Sequence, residues 1–101
     1  YLNQIAFINR SIRNVINKIL IEAKIPPIII IQGDHGPTFF EAKENEININ
    51  LRSSILNAYF LPKINNDLLY NSITPVNTFR VIFNHYFGAG YDLLKDQVHV
   101  Q

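Results

Sequence analysis

Asp34 and His35 are the two adjacent residues of this chain best suited to chemistry, in the run Ile28-Ile29-Ile30-Ile31-Gln32-Gly33-Asp34-His35-Gly36-Pro37. Asp offers a hard anionic oxygen and His a neutral imidazole nitrogen, a mixture that suits Zn²⁺ or Mn²⁺. Neighbouring residues of a regular strand point to opposite faces. Both can reach one ion only where the chain leaves strand geometry, which Gly33 and Gly36 permit. A plainer reading has Asp34 capping a turn through its side chain and His35 as an incidental loop residue. A metal centre needs three or four protein ligands, and no second cluster stands out. His85 falls inside a helical pattern and His99 in the tail, where surface or packing roles suit them better than ligation.

The elements that must position the pair are legible on either side. Ile5, Ile8, Ile12, Val15, Ile16, Ile19, Leu20 and Ala23 recur at helical spacing, with Asn9, Arg10, Arg13, Asn14 and Lys18 between them. That helix should stop near Lys24, because Ile25-Pro26-Pro27 cannot continue it. Ile28 to Ile31 is a continuous β-branched run without alternation, the pattern of a strand buried on both faces of a parallel sheet. In open α/β sheets ligands bind beyond the carboxyl ends of the strands, where Asp34 and His35 fall.

Thr38 to Leu51 reads as a loop carrying Glu41, Lys43, Glu44 and Glu46 and anchored by Phe39 and Phe40. A second strand is expected over Ser54 to Leu61, ended by Pro62, and a polar connection over Lys63 to Asn71. Thr74-Pro75 opens a second helix, with Thr74 as N-cap and Pro75 at the first helical position. Val76, Phe79, Ile82, Phe83 and Phe87 supply its apolar face, and Gly88-Ala89-Gly90 ends it. The tail from Tyr91 has no clear pattern, although Val98-His99-Val100 suits a short edge strand. The expected class is α/β: helix, strand, loop, strand and helix, with the strands drawn from a mostly parallel sheet.

Composition narrows the function classes. The 101 residues are 48% hydrophobic and 17% charged, as in a folded globular piece. A net charge of +1 with no basic run excludes the electrostatic footprint of a nucleic-acid binder. The absence of Cys removes disulfides and thiolate metal sites. No apolar run approaches the roughly 18 residues that span a bilayer, so the piece is expected to be soluble. It contains no Met and opens directly into a helical pattern, which reads as an excerpt from a longer protein.

Three landmarks in order resemble the C-terminal part of the sulfatase-like branch of the alkaline phosphatase superfamily. That branch includes sulfatases and lipoteichoic-acid-synthase-like phosphoglycerol transferases. The landmarks are the apolar strand ending in Gly33-Asp34-His35-Gly36; Arg52 before Ile55-Leu56-Asn57-Ala58-Tyr59-Phe60-Leu61-Pro62; and Ser72-Ile73-Thr74-Pro75-Val76-Asn77-Thr78-Phe79 leading to Phe87-Gly88. Ile-Gln-Gly-Asp-His-Gly-Pro and Pro-Val-Asn-Thr-Phe-Arg are especially similar to bacterial membrane-anchored sulfatase-like proteins.

The resemblance implies that residues 1–101 are a fragment of an alkaline-phosphatase-like sandwich. Asp34 and His35 would bind a catalytic divalent metal (Mn, Zn, Ca or Mg) acting on sulfate or phosphate esters, with Gly33, Gly36 and Arg52 as site support. Arg52 holds the loop near the site on one reading and is a surface ion-pair partner on the other. The nucleophile and the remaining carboxylates would belong to a missing N-terminal part of the same domain, leaving no catalytic residue here. Gln32 departs from the Ser or Thr frequent there in sulfatases, and the loop after Pro37 carries no sulfatase signature. The parent would be anchored in the cell membrane with an extracytoplasmic catalytic domain. Exposed sheet edges predict that the isolated piece forms a dimer or larger assembly, with exchange of elements as one route. Two other readings stand beside this one: a non-catalytic sulfatase-like module, and a small free-standing α/β interaction module.

Overall fold

The computed structural model describes residues 2–37 and 46–98, apart from the side chains of 46–49 and 66. The expected anchors Phe39 and Phe40, the charged residues Glu41, Lys43 and Glu44, and the edge strand at His99 and Val100 lie outside the described residues. The side chain of Glu46 does too. In chain order the elements are α1 (Leu2–Glu22), β1 (Ile29–Gln32), α2 (Glu46–Ser53), β2 (Asn57–Phe60), a 3-10 turn (Asn66–Leu68) and α3 (Pro75–Phe87).

The expected α/β class with a mostly parallel sheet is overturned. β1 and β2 form a two-stranded antiparallel sheet, and helices make up the larger part of the regular structure among the described residues. The reason lies in what an apolar run can report. Four consecutive isoleucines show that a strand wants cover on both faces, but they carry no information about the direction of its neighbour. No residue of β1 is fully buried, since a strand with one neighbour keeps an open edge. β2 alternates half-buried and exposed side chains, the period of a strand covered on one face.

Two compact units divide the chain: Tyr1–Ile30 with Ala58–Pro62, and Ile31–Asn57 with Lys63–Gln101. In the first, α1 ends at Glu22 as Pro26 and Pro27 require, with Ala23 N–H donating to Ile19 O at 2.9 Å as its last turn. Ile12 and Ile16 are half-buried, while Ile5, Ile8, Val15, Ile19 and Leu20 remain exposed, so the helix displays its apolar stripe. No helix among the described residues is long and apolar enough to cross a membrane.

In the second unit the stretch expected to be loop contains α2, with Arg52 in its last turn. Thr74 takes an extended N-cap conformation with Pro75 at the start of α3, and Gly88 closes the helix at φ 61°. Both follow the sequence. The buried face of α3 does not. Among the described residues the buried side chains are Asn77, Thr78, Val81 and Ile82, whereas Val76, Phe79, Phe83 and Phe87 are exposed. The phenylalanines instead form a ladder along the outside of the helix, each ring 6.1 Å from the next.

Asn77 is buried because it is fully used. Its Nδ2 donates to Leu94 O at 2.6 Å, Asp96 Oδ1 at 3.0 Å and Tyr70 OH at 3.2 Å, and its Oδ1 accepts from Leu94 N–H at 2.8 Å. Buried polar groups persist only when satisfied in this way.

Candidate functional site

Asp34 and His35 follow β1 in a turn fastened on both sides. Gly33 N–H donates to Leu56 O at 2.9 Å and Gly36 N–H to Arg52 O at 2.7 Å. The two bonds pin the turn to the segment running from the end of α2 into β2. The second bond uses only the backbone carbonyl of Arg52, which any residue at that position would supply.

The two glycines serve different ends. Neither has a positive φ, so the conformational freedom expected of them is not what the turn uses. Gly36 is buried where a Cβ would overlap Leu51 O and come within 2.9 Å of Ser54 O. A Cβ on Gly33 would meet nothing closer than Leu56 N at 3.6 Å. Only Gly36 is demanded, and by close approach of two backbones.

Within the turn Asp34 Oδ1 accepts from His35 N–H at 2.9 Å, so Asp34 does make the local bond expected of a turn residue. Its Oδ2 is free of that bond and lies 3.7 Å from His35 Nε2. His35 Nδ1 lies 2.7 Å from Gly36 O. A carbonyl oxygen can only accept, so Nδ1 carries the proton and donates. In the neutral ring this leaves Nε2 as the unprotonated nitrogen. A backbone carbonyl on the far nitrogen is the arrangement that orients metal-ligating histidines.

At ligand distances of about 2.1 Å, two donors 3.7 Å apart subtend roughly 120° at an ion between them. Closing to a tetrahedral angle requires them to approach by only about 0.3 Å. The Asp34 side chain is 91% exposed and the His35 side chain 54% exposed. The donor chemistry fits a divalent cation, but as a corner alone. No group of three His, Cys, Asp or Glu that could hold a metal occurs among the described residues. His85 lies in the last turn of α3, edge-on to the Tyr86 ring at 4.7 Å, and His99 lies outside the described residues.

A second polar cluster, which the sequence reading missed, gathers on Asp96. Its carboxylate accepts from Thr74 Oγ1 at 2.6 Å, Thr74 N–H at 2.8 Å, Asn77 Nδ2 and the Tyr70 hydroxyl. Thr74 makes no side-chain cap of its own. Asp96 caps α3 from across the chain, placing a negative charge at the helix N-terminus. Hydrogen bonds from the Thr74 hydroxyl, then from the Tyr70 hydroxyl, hold its pKa down from 3.8 to about 2. The same bond pushes the Tyr70 hydroxyl up. The tail holds two aspartates, Asp92 and Asp96, and nothing in their spacing singles out Asp96.

The chain matches no protein-family profile, no curated protein and no solved structure at a significant level.

Proposed function

We propose that this chain contributes Asp34 and His35 as two ligands of a divalent-metal centre, in a sulfatase-like hydrolase or phosphotransferase acting on sulfate or phosphate esters. One observation supports the ligand role above all. The Nδ1–H bond to Gly36 O leaves Nε2 as a donor 3.7 Å from Asp34 Oδ2, on a turn tied down at both glycines. The ester chemistry rests on the resemblance of the ordered landmarks, and the antiparallel sheet lends it no support.

A metal bound there would supply Lewis-acid polarisation of an ester oxygen and help ionise a nucleophile. The chain's own contribution is positional: Gly36 O fixes the imidazole tautomer, and Asp34 brings the negative charge. Further ligands and the nucleophile would come from residues beyond those described, in a missing N-terminal part of the same domain.

Two ligands cannot close a coordination shell, so calorimetric titration with Mn²⁺ or Zn²⁺ should show binding weaker than micromolar. His35→Ala or Asp34→Ala should remove it. Sub-micromolar affinity in the monomer, or affinity unchanged in both variants, would contradict the two-ligand corner. The alternative is a non-catalytic sulfatase-like module with a binding or structural role. It is favoured by the two-stranded antiparallel sheet, which departs from the expected parallel frame. Turnover of aryl phosphate or sulfate esters by the longer polypeptide with added Mn²⁺ would exclude it.

A further inference from the structure

α1 buries none of its side chains, and only Ser11, Ile12 and Ile16 are half-buried. Its charge is one-sided. Residues 1–24 hold Arg10, Arg13, Lys18 and Lys24 against Glu22 alone, a net +3. Residues 25–101 hold five cations and seven carboxylates, a net −2. The near-neutral total therefore hides a basic helix joined to an acidic remainder. Among the described residues no carboxylate pairs with Arg10, Arg13, Lys18 or Lys24.

One face of α1 carries cations and apolar side chains together. At 3.6 residues per turn, Leu2, Arg10, Arg13, Leu20 and Ile21 share an arc of about 100°, beside the half-buried line of Ile12 and Ile16. Leu2 and Ile21 are 79% and 83% exposed, Leu20 is 43% exposed, and both arginines are exposed. Lys24 and Ile25 follow the helix directly and are exposed as well.

That mixture decides between occupants. A second copy would set these cations against their own kind, which opposes association. A nucleic acid would match the charge but press Leu2, Leu20 and Ile21 against phosphates. An anionic lipid surface satisfies both characters: headgroup phosphates meet the guanidinium groups, and the acyl boundary below takes the apolar side chains. No helix among the described residues is long and apolar enough to cross a membrane, so the helix is suited to lying in the interface plane.

We propose that α1 is a binding site for an anionic membrane surface. Leu2, Leu20 and Ile21 enter the headgroup region, while Arg10, Arg13 and Lys24 hold lipid phosphates. Each such cation tightens binding to an anionic surface about fivefold, so three give roughly a hundredfold preference over a zwitterionic one. Salt screens this attraction and weakens the binding. Asp34 and His35 take no part, so the membrane site stands or falls apart from the metal corner.

Co-sedimentation of the full chain with vesicles tests this, using one part phosphatidylglycerol to two parts phosphatidylcholine against phosphatidylcholine alone. Binding at low salt should be at least about tenfold tighter to the anionic vesicles and should fall as salt is added. Arg10→Gln with Arg13→Gln should weaken it by at least about tenfold. Lys63→Gln with Lys95→Gln removes the same charge elsewhere and should change it by less than about twofold. Leu20→Gln with Ile21→Gln keeps every cation and should also lose at least about tenfold. All six positions are exposed, and circular dichroism should show an unchanged melting temperature in each variant. Equal binding to the two vesicle types, or equal losses from the two charge variants, overturns the proposal. Tighter binding to duplex DNA or to poly-glutamate than to the anionic vesicles would assign the face to another class of partner and overturn it too.

Discussion

Replacing Gly36 by Ala tests whether the candidate metal corner is held by contact between two backbones. A Cβ at residue 36 would overlap Leu51 O and come within 2.9 Å of Ser54 O and 3.0 Å of Leu51 C. All three are backbone atoms, so no side chain can swing aside. Overpacking of this kind costs about 1–3 kcal/mol. The 2.7 Å bond from Gly36 N–H to Arg52 O would stretch as the segments part, at a further cost of about 1 kcal/mol. The sum of about 2–4 kcal/mol lowers the melting temperature by roughly 10–25 °C for a chain of this size. Gly33→Ala is the control. Its nearest contacts would be 3.6 Å to Leu56 N and 3.9 Å to Leu56 Cβ, and its φ is not positive. Reduced freedom of the unfolded chain then predicts neutrality or a gain of about 0.4–1 kcal/mol. Thermal unfolding followed by circular dichroism compares the two variants. Equal losses from both, or a Gly36→Ala chain within about 0.5 kcal/mol of the parent, would refute the close-approach argument.

Other perturbations separate the second cluster from the first. Asn77→Ala removes a buried amide bonded to Leu94, Asp96 and Tyr70, and urea unfolding should show a loss of about 2–4 kcal/mol. A midpoint unchanged within error would mean the Asn77 bonds add nothing to stability. Asp96 is depressed from 3.8 to about 2 on folding. Its contribution is therefore complete above the unfolded value and is lost as pH falls through the folded one. Urea unfolding at stepped pH should show this decline between about pH 4 and pH 2 in the parent chain, and a shallower one in Asp96→Asn. Identical profiles would remove Asp96 from the account. Asp34→Asn keeps the turn bond to His35 N–H but loses the carboxylate charge, so Mn²⁺ affinity should fall while the melting temperature stays put. A large melting shift would show that Asp34 serves the turn above all.

Local chemistry carried a good part of this protein into its sequence. The extent of α1, its stop before Pro26-Pro27, the Thr74-Pro75 start of α3 and its glycine end all depend on groups within a few residues of one another. The Asp34-His35 pair was visible for the same reason, as two adjacent donors between glycines. Only the tertiary structure decided what depends on distant partners. The direction of β2 beside β1 leaves no trace in either strand's composition, and the expected parallel sheet failed on that point. Gly33 and Gly36 look alike in the chain, yet only Gly36 lies so close to a second backbone that a Cβ would overlap it. The phenylalanines of α3 carry the strongest apolar signal and stay outside. Asn77 is buried instead, because Leu94, 17 residues later, offers both backbone groups to its amide. Hydrophobic periodicity measures the tendency of a side chain to leave water. It does not register a polar side chain that leaves water with every hydrogen bond satisfied.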